Sequence, residues 1–364
     1  MRHLLISILI HCSTTALAIQ KVAIVFPDTP NNPNSVGSHA MCMAKAVIGS
    51  HDTGNLNVKF FTNSRDPIHT QQVVQKIINE KYELVLGTTL SSQAIVASKL
   101  LDSAKIPFIA PLATHPEVTK NKPLSIRIPY SDETQASLLA KASTEIYSAK
   151  RILLVYNKSL PYSTYIADSY KQEIKNSKVT TYPYVEGLFQ VEDIRRKYID
   201  GKFDLIFAPI YSIDMAKLYN KFVSNNSPAI LLGGDAVGGR KNFLDAILPD
   251  EKTVQLTFVR QSPKVFEGPY LNEYKRLFKQ YCKGSSNMVS AATFDLIRST
   301  LKVLQQDKHS KESFVAAFKR QEFNGLMGKF NYSKKTGEPV KDLFLYQIKN
   351  KNVRYFKKIT NPNK

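Results

Sequence analysis

The chain has 364 residues, 43% of them hydrophobic, which is enough to bury the cores of two ordinary domains and too apolar for wholesale disorder. Its 50 Lys and Arg against 30 Asp and Glu give a formal charge of +20. The basic residues are scattered in short runs such as 195–197 (RRK) and 334–335 (KK), with no Trp and no zinc-finger or RNA-binding pattern, so the balance reads as a solvated basic surface and no nucleic-acid partner is expected.

The N-terminus reads as an export leader. Arg2 and His3 precede the short apolar run 4–10 (LLISILI), and Ala16-Leu17-Ala18 fits a small-x-small cleavage site, so residues 1–18 are expected to be a signal peptide. Cys12 raises a lipid anchor as a lesser alternative, but His11 stands where a small residue would precede it. No later run is long and apolar enough to span a bilayer, and a periplasmic location is expected. Cleavage leaves Cys42 and Cys282. Sequence cannot say whether they pair, and two buried free thiols are the simpler expectation.

Strand-like and helix-like segments then alternate. Residues 22–27 (VAIVFP) form an apolar strand, followed by a Pro/Asn/Gly-rich loop and a helix near 38–47. Strands at 58–62, 84–87 and 108–113 are separated by helices at 69–79 and 91–103. The rhythm restarts after Arg127: helix 132–147, strand 151–156, helix 164–174, strand 179–185, helix 191–198, strand 204–209, helix 213–223, strand 229–233. Two similar α/β units in succession are predicted, each a mostly parallel sheet flanked by helices. The tail differs, with a strand at 255–259, helices near 270–281, 289–305 and 312–320, a Gly-containing segment at 323–330, and a hairpin pairing 343–348 with 353–359.

Several segments resemble the leucine/isoleucine/valine-type solute-binding proteins, the type I periplasmic family. In 86–119 a strand ends at Gly87, Ser91-Ser92 opens a helix, and a second strand ends in Pro111-Leu112-Ala113-Thr114-His115-Pro116. Residues 127–135 (RIPYSDETQ) resemble the first crossover between lobes, Tyr162-Ser163 a helix opening of the second lobe, and 204–215 a strand presenting an aromatic residue. Residues 233–238 (GGDAVG) resemble the acidic turn facing the cleft, and 328–337 (GKFNYSKKTG) a late family segment. The loop 27–37 departs from the pattern, because no Tyr or Trp is there to cover a ligand. The resemblance implies a two-lobed fold joined by three crossovers, with lobe 1 at 19–128 plus 258–325 and lobe 2 at 129–257 plus 326–364.

An amino acid presents a carboxylate and an ammonium on one carbon, so its site needs donors and acceptors together. The resemblance puts Ser91 and Thr114 in the cleft as carboxylate donors, Ser91 at a helix N-terminus where anions are favoured. The Leu112 carbonyl and the Asp235 carboxylate would receive the ammonium, and Tyr162 and Tyr211 would form aromatic walls. For each the plainer reading stays open: a helix cap for Ser91, turn residues for Thr114 and Asp235, packing for the tyrosines. The implied partners are a small, amino-acid-like ligand, an inner-membrane ABC permease and its ATPase, the binding protein itself being a monomer. A phosphate loop, a Gly-x-Ser-x-Gly elbow and metal-type His/Cys spacing are all missing, so neither catalysis, cofactor nor metal is expected. A two-lobed envelope regulator or sensor without transport is the alternative.

Overall fold

The computed structural model describes residues 18–361, apart from 30, 31, 33, 34, 239, 240, 264, 265, 307 and 308. The expected leader, except Ala18, lies outside the described residues, and Cys12 with it.

The chain opens with β1 (Lys21–Pro27), α1 (Val36–Ser50), β2 (Asn57–Asn63), α2 (Pro67–Asn79), β3 (Leu84–Gly87), α3 (Ser91–Ser103), β4 (Phe108–Ala110) and β5 (Ser125–Arg127). These strands make one parallel sheet in the order β2-β1-β3-β4-β5. Val22, Ile24 and Phe26 of β1 point to one side and Ala23 and Val25 to the other, and all five are buried. A strand covered on both faces needs a continuous apolar run, and VAIVFP supplies it. Gly87 ends β3 at φ +137°, where a Cβ would lie 2.0 Å from the Val25 carbonyl oxygen, so only glycine lets β3 leave the sheet this close to β1.

The second unit repeats the plan with α4 (Asp132–Glu145), β6 (Arg151–Asn157), α5 (Pro161–Glu173), β7 (Lys178–Tyr184), α6 (Val191–Asp200), β8 (Leu205–Ala208), α7 (Ser212–Ser224), β9 (Ala229–Gly233), α8 (Lys241–Ala246) and β10 (Val254–Arg260). Its parallel strands run β7-β6-β8-β9-β10, the same order as in the first unit. In each sheet the order reverses at the first strand, and the carboxyl ends beside that reversal are where α/β sheets bind ligands.

The chain then returns to the first unit. Helices α9 (Leu271–Tyr281), α10 (Met288–Gln306) and α11 (Lys311–Arg320) cover the Val22–Ile24–Phe26 face together with α1, while α2 and α3 cover the opposite face. Strands β11 (Phe323–Gly325), β12 (Gly328–Tyr332) and β13 (Pro339–Val340) form a small antiparallel sheet. Finally β14 (Leu343–Lys349) and β15 (Asn352–Ile359) add an antiparallel edge to β10. The protein is therefore a two-lobed α/β molecule, its lobes joined by three crossovers.

Two expectations shift. The expected lobe boundary at 258 falls inside β10, which pairs with β9 over Val254 to Phe258 and with β14 over Leu256 to Arg260, so the second crossing follows Arg260. The boundary at 326 is also early, because Leu326, Met327, Phe330 and Tyr332 pack into the first unit's core. The third crossing comes just before β14. In both places an apolar run looks the same whichever core it enters. The free-thiol expectation is overturned: Cys42 of α1 and Cys282, the cap of α9, form a disulfide with Cα atoms 5.7 Å apart, and both are half-buried. Adjacent helices bring them together across a sequence separation of 240 residues, which leaves no local signal.

Candidate functional site

All six residues singled out from the sequence line one cavity of about 320 Å³ between the lobes. Each sits at or just beyond the carboxyl end of a parallel strand. Ser91 follows β3, Leu112 and Thr114 follow β4, Tyr162 follows β6, Tyr211 follows β8 and Asp235 follows β9.

Ser91 is the first residue of α3 and is 5% exposed. Capping is done by its neighbour: the Gln93 side-chain oxygen accepts from the Leu90 amide at 3.0 Å and the Thr89 amide at 3.2 Å. Among the described residues the Ser91 hydroxyl makes no hydrogen bond, so it does not act as a cap. The helix end offers unpaired amides and positive dipole character beside it.

Thr114 is held from behind. Its carbonyl accepts from the buried Arg127 guanidinium at 2.8 Å and from the Asp132 amide at 3.0 Å. The side chain lies beside the Asp132 carboxyl. Asp132 has no exposed surface, and burial pushes its carboxyl well above the usual carboxylate range. Neighbouring Asp235 pushes the same way, against the Thr114 hydroxyl and Arg127.

Asp235 is fixed by glutamines from two crossovers. Gln135, on the first turn of α4, donates to Oδ1 at 3.1 Å and accepts the Asp235 amide at 2.8 Å. Gln261, just past β10, donates to Oδ2 at 2.5 Å. Burial raises this carboxyl too, and the two glutamines and the Tyr162 hydroxyl oppose the rise. Gly234 makes room for the arrangement, since a Cβ there would come within 2.2 Å of the Tyr162 hydroxyl oxygen. Tyr162 stacks on Tyr211 with ring centres 5.9 Å apart and planes 8° from parallel. Together they form a flat aromatic wall, the Tyr162 face buried and the Tyr211 face half-buried.

Sequence reading missed Asp132, Gln135, Gln261 and the cavity's cations Arg65, Lys241 and Arg260. Asp132 and Gln135 carried a usable signal, because they lie three apart at the start of a helix and share one face. The loop before α1 provides no aromatic cover, as its composition indicated. Val36 and His39 line the wall there, and Phe266 supplies an aromatic ring from a later segment. Among the described residues no group of three or more His, Cys, Asp or Glu is placed to hold a metal ion, and no helix is long and apolar enough to cross a membrane.

Comparison with known proteins agrees with this architecture. Residues 62–352 match a family model described as periplasmic binding protein. The Leu/Ile/Val-binding protein of Citrobacter freundii is 30% identical over 118 residues, 32% of each chain. The leucine-specific-binding protein of Salmonella typhimurium is 23% identical over 183 residues, 49% of each chain. The matched part thus spans half or less of these relatives' length.

Among solved structures, a leucine binding protein from Thermotoga maritima superposes with a TM-score of 0.82 at 16% identity, over 94% of this chain and 99% of that one. A branched-chain amino acid transporter substrate binding protein from Streptococcus pneumoniae, in complex with isoleucine, gives 0.78 at 19% identity, over 94% and 99%. An ABC transporter solute binding protein from R. palustris, in complex with 4-hydroxybenzoate, gives 0.78 at 17% identity, over 94% and 98%. At these identities the likeness is one of fold. With most of its length inside the family model and its strands, crossovers and interlobe cavity arranged accordingly, the chain belongs to the periplasmic binding protein family.

Proposed function

We propose that this protein is an extracytoplasmic solute-binding protein that captures a small, amino-acid-like ligand between its lobes, leaves it chemically unchanged, and passes it to an ABC permease driven by its ATPase. One observation carries the reading: donors from one lobe and an acceptor from the other face the same small cavity. Ser91, the α3 terminus and Thr114 offer hydrogen-bond donors to a carboxylate. Asp235 lines the same cavity from the other lobe as the acceptor for an ammonium, and Leu112, whose carbonyl is a second candidate acceptor, lines it too. Tyr162 and Tyr211 provide the surface on which the rest of the ligand lies. A ligand completes both sets of contacts only when the lobes close, and that differential contact is what stabilises the closed form. The leucine, isoleucine and 4-hydroxybenzoate named for the relatives all carry a carboxylate, in keeping with a donor set at α3. The Cys42–Cys282 disulfide suits an oxidising compartment outside the cytoplasm.

The test is a thermal-shift and calorimetric panel of amino acids and simple carboxylates. A bound ligand raises the melting temperature by mass action. Asp235→Asn weakens an ammonium-bearing ligand by about 2 kcal/mol, close to thirtyfold, because a buried ammonium loses its charged partner. Equal affinity in variant and parent contradicts the role of Asp235, and no response to any compound contradicts the proposed function.

A further inference from the structure

We infer that the ligand carries a second anionic group, which makes the bound class acidic amino acids, and that Arg65 is the residue that reads it. This rests on the amino-acid-binding reading above. Among the described residues the cavity lining holds three cationic side chains, Arg65, Lys241 and Arg260, and a single carboxylate, Asp235. A neutral zwitterion uses up that carboxylate and the neutral donors at Ser91 and Thr114, and offers Arg65 no anionic partner.

The three cations are not equivalent. Lys241 is exposed and already paired with Asp245 at 2.7 Å, one helical turn along α8. Arg260 is half-buried, with Nε donating to the Gly238 carbonyl at 3.1 Å and the guanidinium 4.8 Å from the centre of the Tyr346 ring. It supplies a fixed positive field from the lobe 2 side. Arg65 comes from lobe 1, in the turn between β2 and α2, and reaches lobe 2, where its guanidinium lies 5.9 Å from the centre of the Tyr211 ring. No carboxylate among the described residues pairs with it. The turn is tied to the first turn of α3, because the Gln93 side-chain amide donates to the Ser64 carbonyl.

The Arg65 guanidinium therefore spans the cavity from the donor end of lobe 1 to the aromatic wall of lobe 2. A ring face binds a guanidinium weakly, whereas a carboxylate accepts its two parallel N–H groups in a bidentate pair. A second ligand carboxylate lying along Tyr211 would take that fork and hold the two lobes together. An excess of positive charge in a partly enclosed cleft also raises the local concentration of anions over neutral compounds. A simple aromatic acid would satisfy Arg65 but leave Asp235 without an ammonium, so the arrangement favours a ligand with one ammonium and two carboxylates.

The experiment is calorimetric titration of the full chain with the isosteric pair L-glutamate and L-glutamine, together with L-aspartate, L-leucine and benzoate, repeated on Arg65→Gln. Glutamate is expected to bind at least about tenfold more tightly than glutamine, and Arg65→Gln to remove that preference by costing glutamate far more affinity than it costs glutamine. Arg65 is exposed, and an unchanged melting temperature without ligand shows that the variant folds. Tighter binding of glutamine or leucine, or an equal loss for glutamate and glutamine in the variant, overturns the inference and leaves the proposed function standing. Binding of benzoate alone overturns the inference and the ammonium role of Asp235. Silence toward every compound overturns both.

Discussion

His115 sits where the two lobes meet. It is 6% exposed, its Nδ1 accepts from the Glu117 amide at 3.1 Å, and its ring centre lies 4.6 Å from that of Tyr165 across the lobes. Burial lowers its pKa from 6.5 to about 4, with Arg127 and Lys122 adding to the fall and Glu117 opposing it. The folded protein therefore keeps His115 neutral where the unfolded chain binds a proton. Its contribution to stability is present above the unfolded pKa of 6.5 and is lost as pH falls toward about 4. Melting curves between about pH 7 and pH 5 are expected to fall more steeply for the parent than for His115→Gln, and parallel curves contradict this account. At this scale the sequence was partly legible. Ser91, Thr114 and Asp235 belong to short segments whose order along the chain marks them out. Arg65 and Gln261 do not, because their roles depend on which distant segment they meet: the Tyr211 wall for the first, the Asp235 turn for the second.

Among the elements, the pairing of α1 with α9 has a consequence for the cleft. Cys282 ends α9, and the next residues, Ser285 to Val289, line the cavity. His39, one turn before Cys42 on α1, lines it too and lies 2.8 Å from the Asn287 side-chain nitrogen. The disulfide thus fixes the base of a wall that this hydrogen bond holds at the top. Cys42→Ser with Cys282→Ser, or reduction of the parent, is expected to lower folding stability by about 2–4 kcal/mol and to weaken ligand binding as the wall loosens. Unchanged stability in denaturant titrations of the double variant would show that the bridge does not constrain the fold. The strands and helices themselves were readable, since runs buried on both faces, such as 22–26 and 205–208, differ in length and pattern from amphipathic helices. The bridge was not readable, since no periodicity links residues 240 positions apart. The lobe to which β10 and β12 belong was also hidden, because their apolar residues fit either core equally well.

For the whole molecule, the crossovers both join the lobes and build the site. Arg127, 1% exposed at the end of β5, pairs with Glu338 just before β13 and donates to the Thr114 carbonyl, so the first and third crossovers meet behind a cavity residue. The Tyr332 hydroxyl donates to the Arg127 carbonyl at 2.8 Å and strengthens that junction. Gln135 and Gln261 place the first and second crossovers on Asp235. Any rotation of the lobes must therefore be felt at Thr114 and Asp235, the two ends of the proposed ligand contact. The repeated strand order, reversed at β1 and again at β6, was foreshadowed by the restart of the strand–helix rhythm after Arg127, although the two units share no residue-level repeat. The central claim is capture by closure, and small-angle X-ray scattering of the full chain tests it most directly. Titration with the amino acid that most raises the melting temperature is expected to lower the radius of gyration and to saturate at one ligand per chain. Saturable binding with an unchanged or larger radius would contradict it.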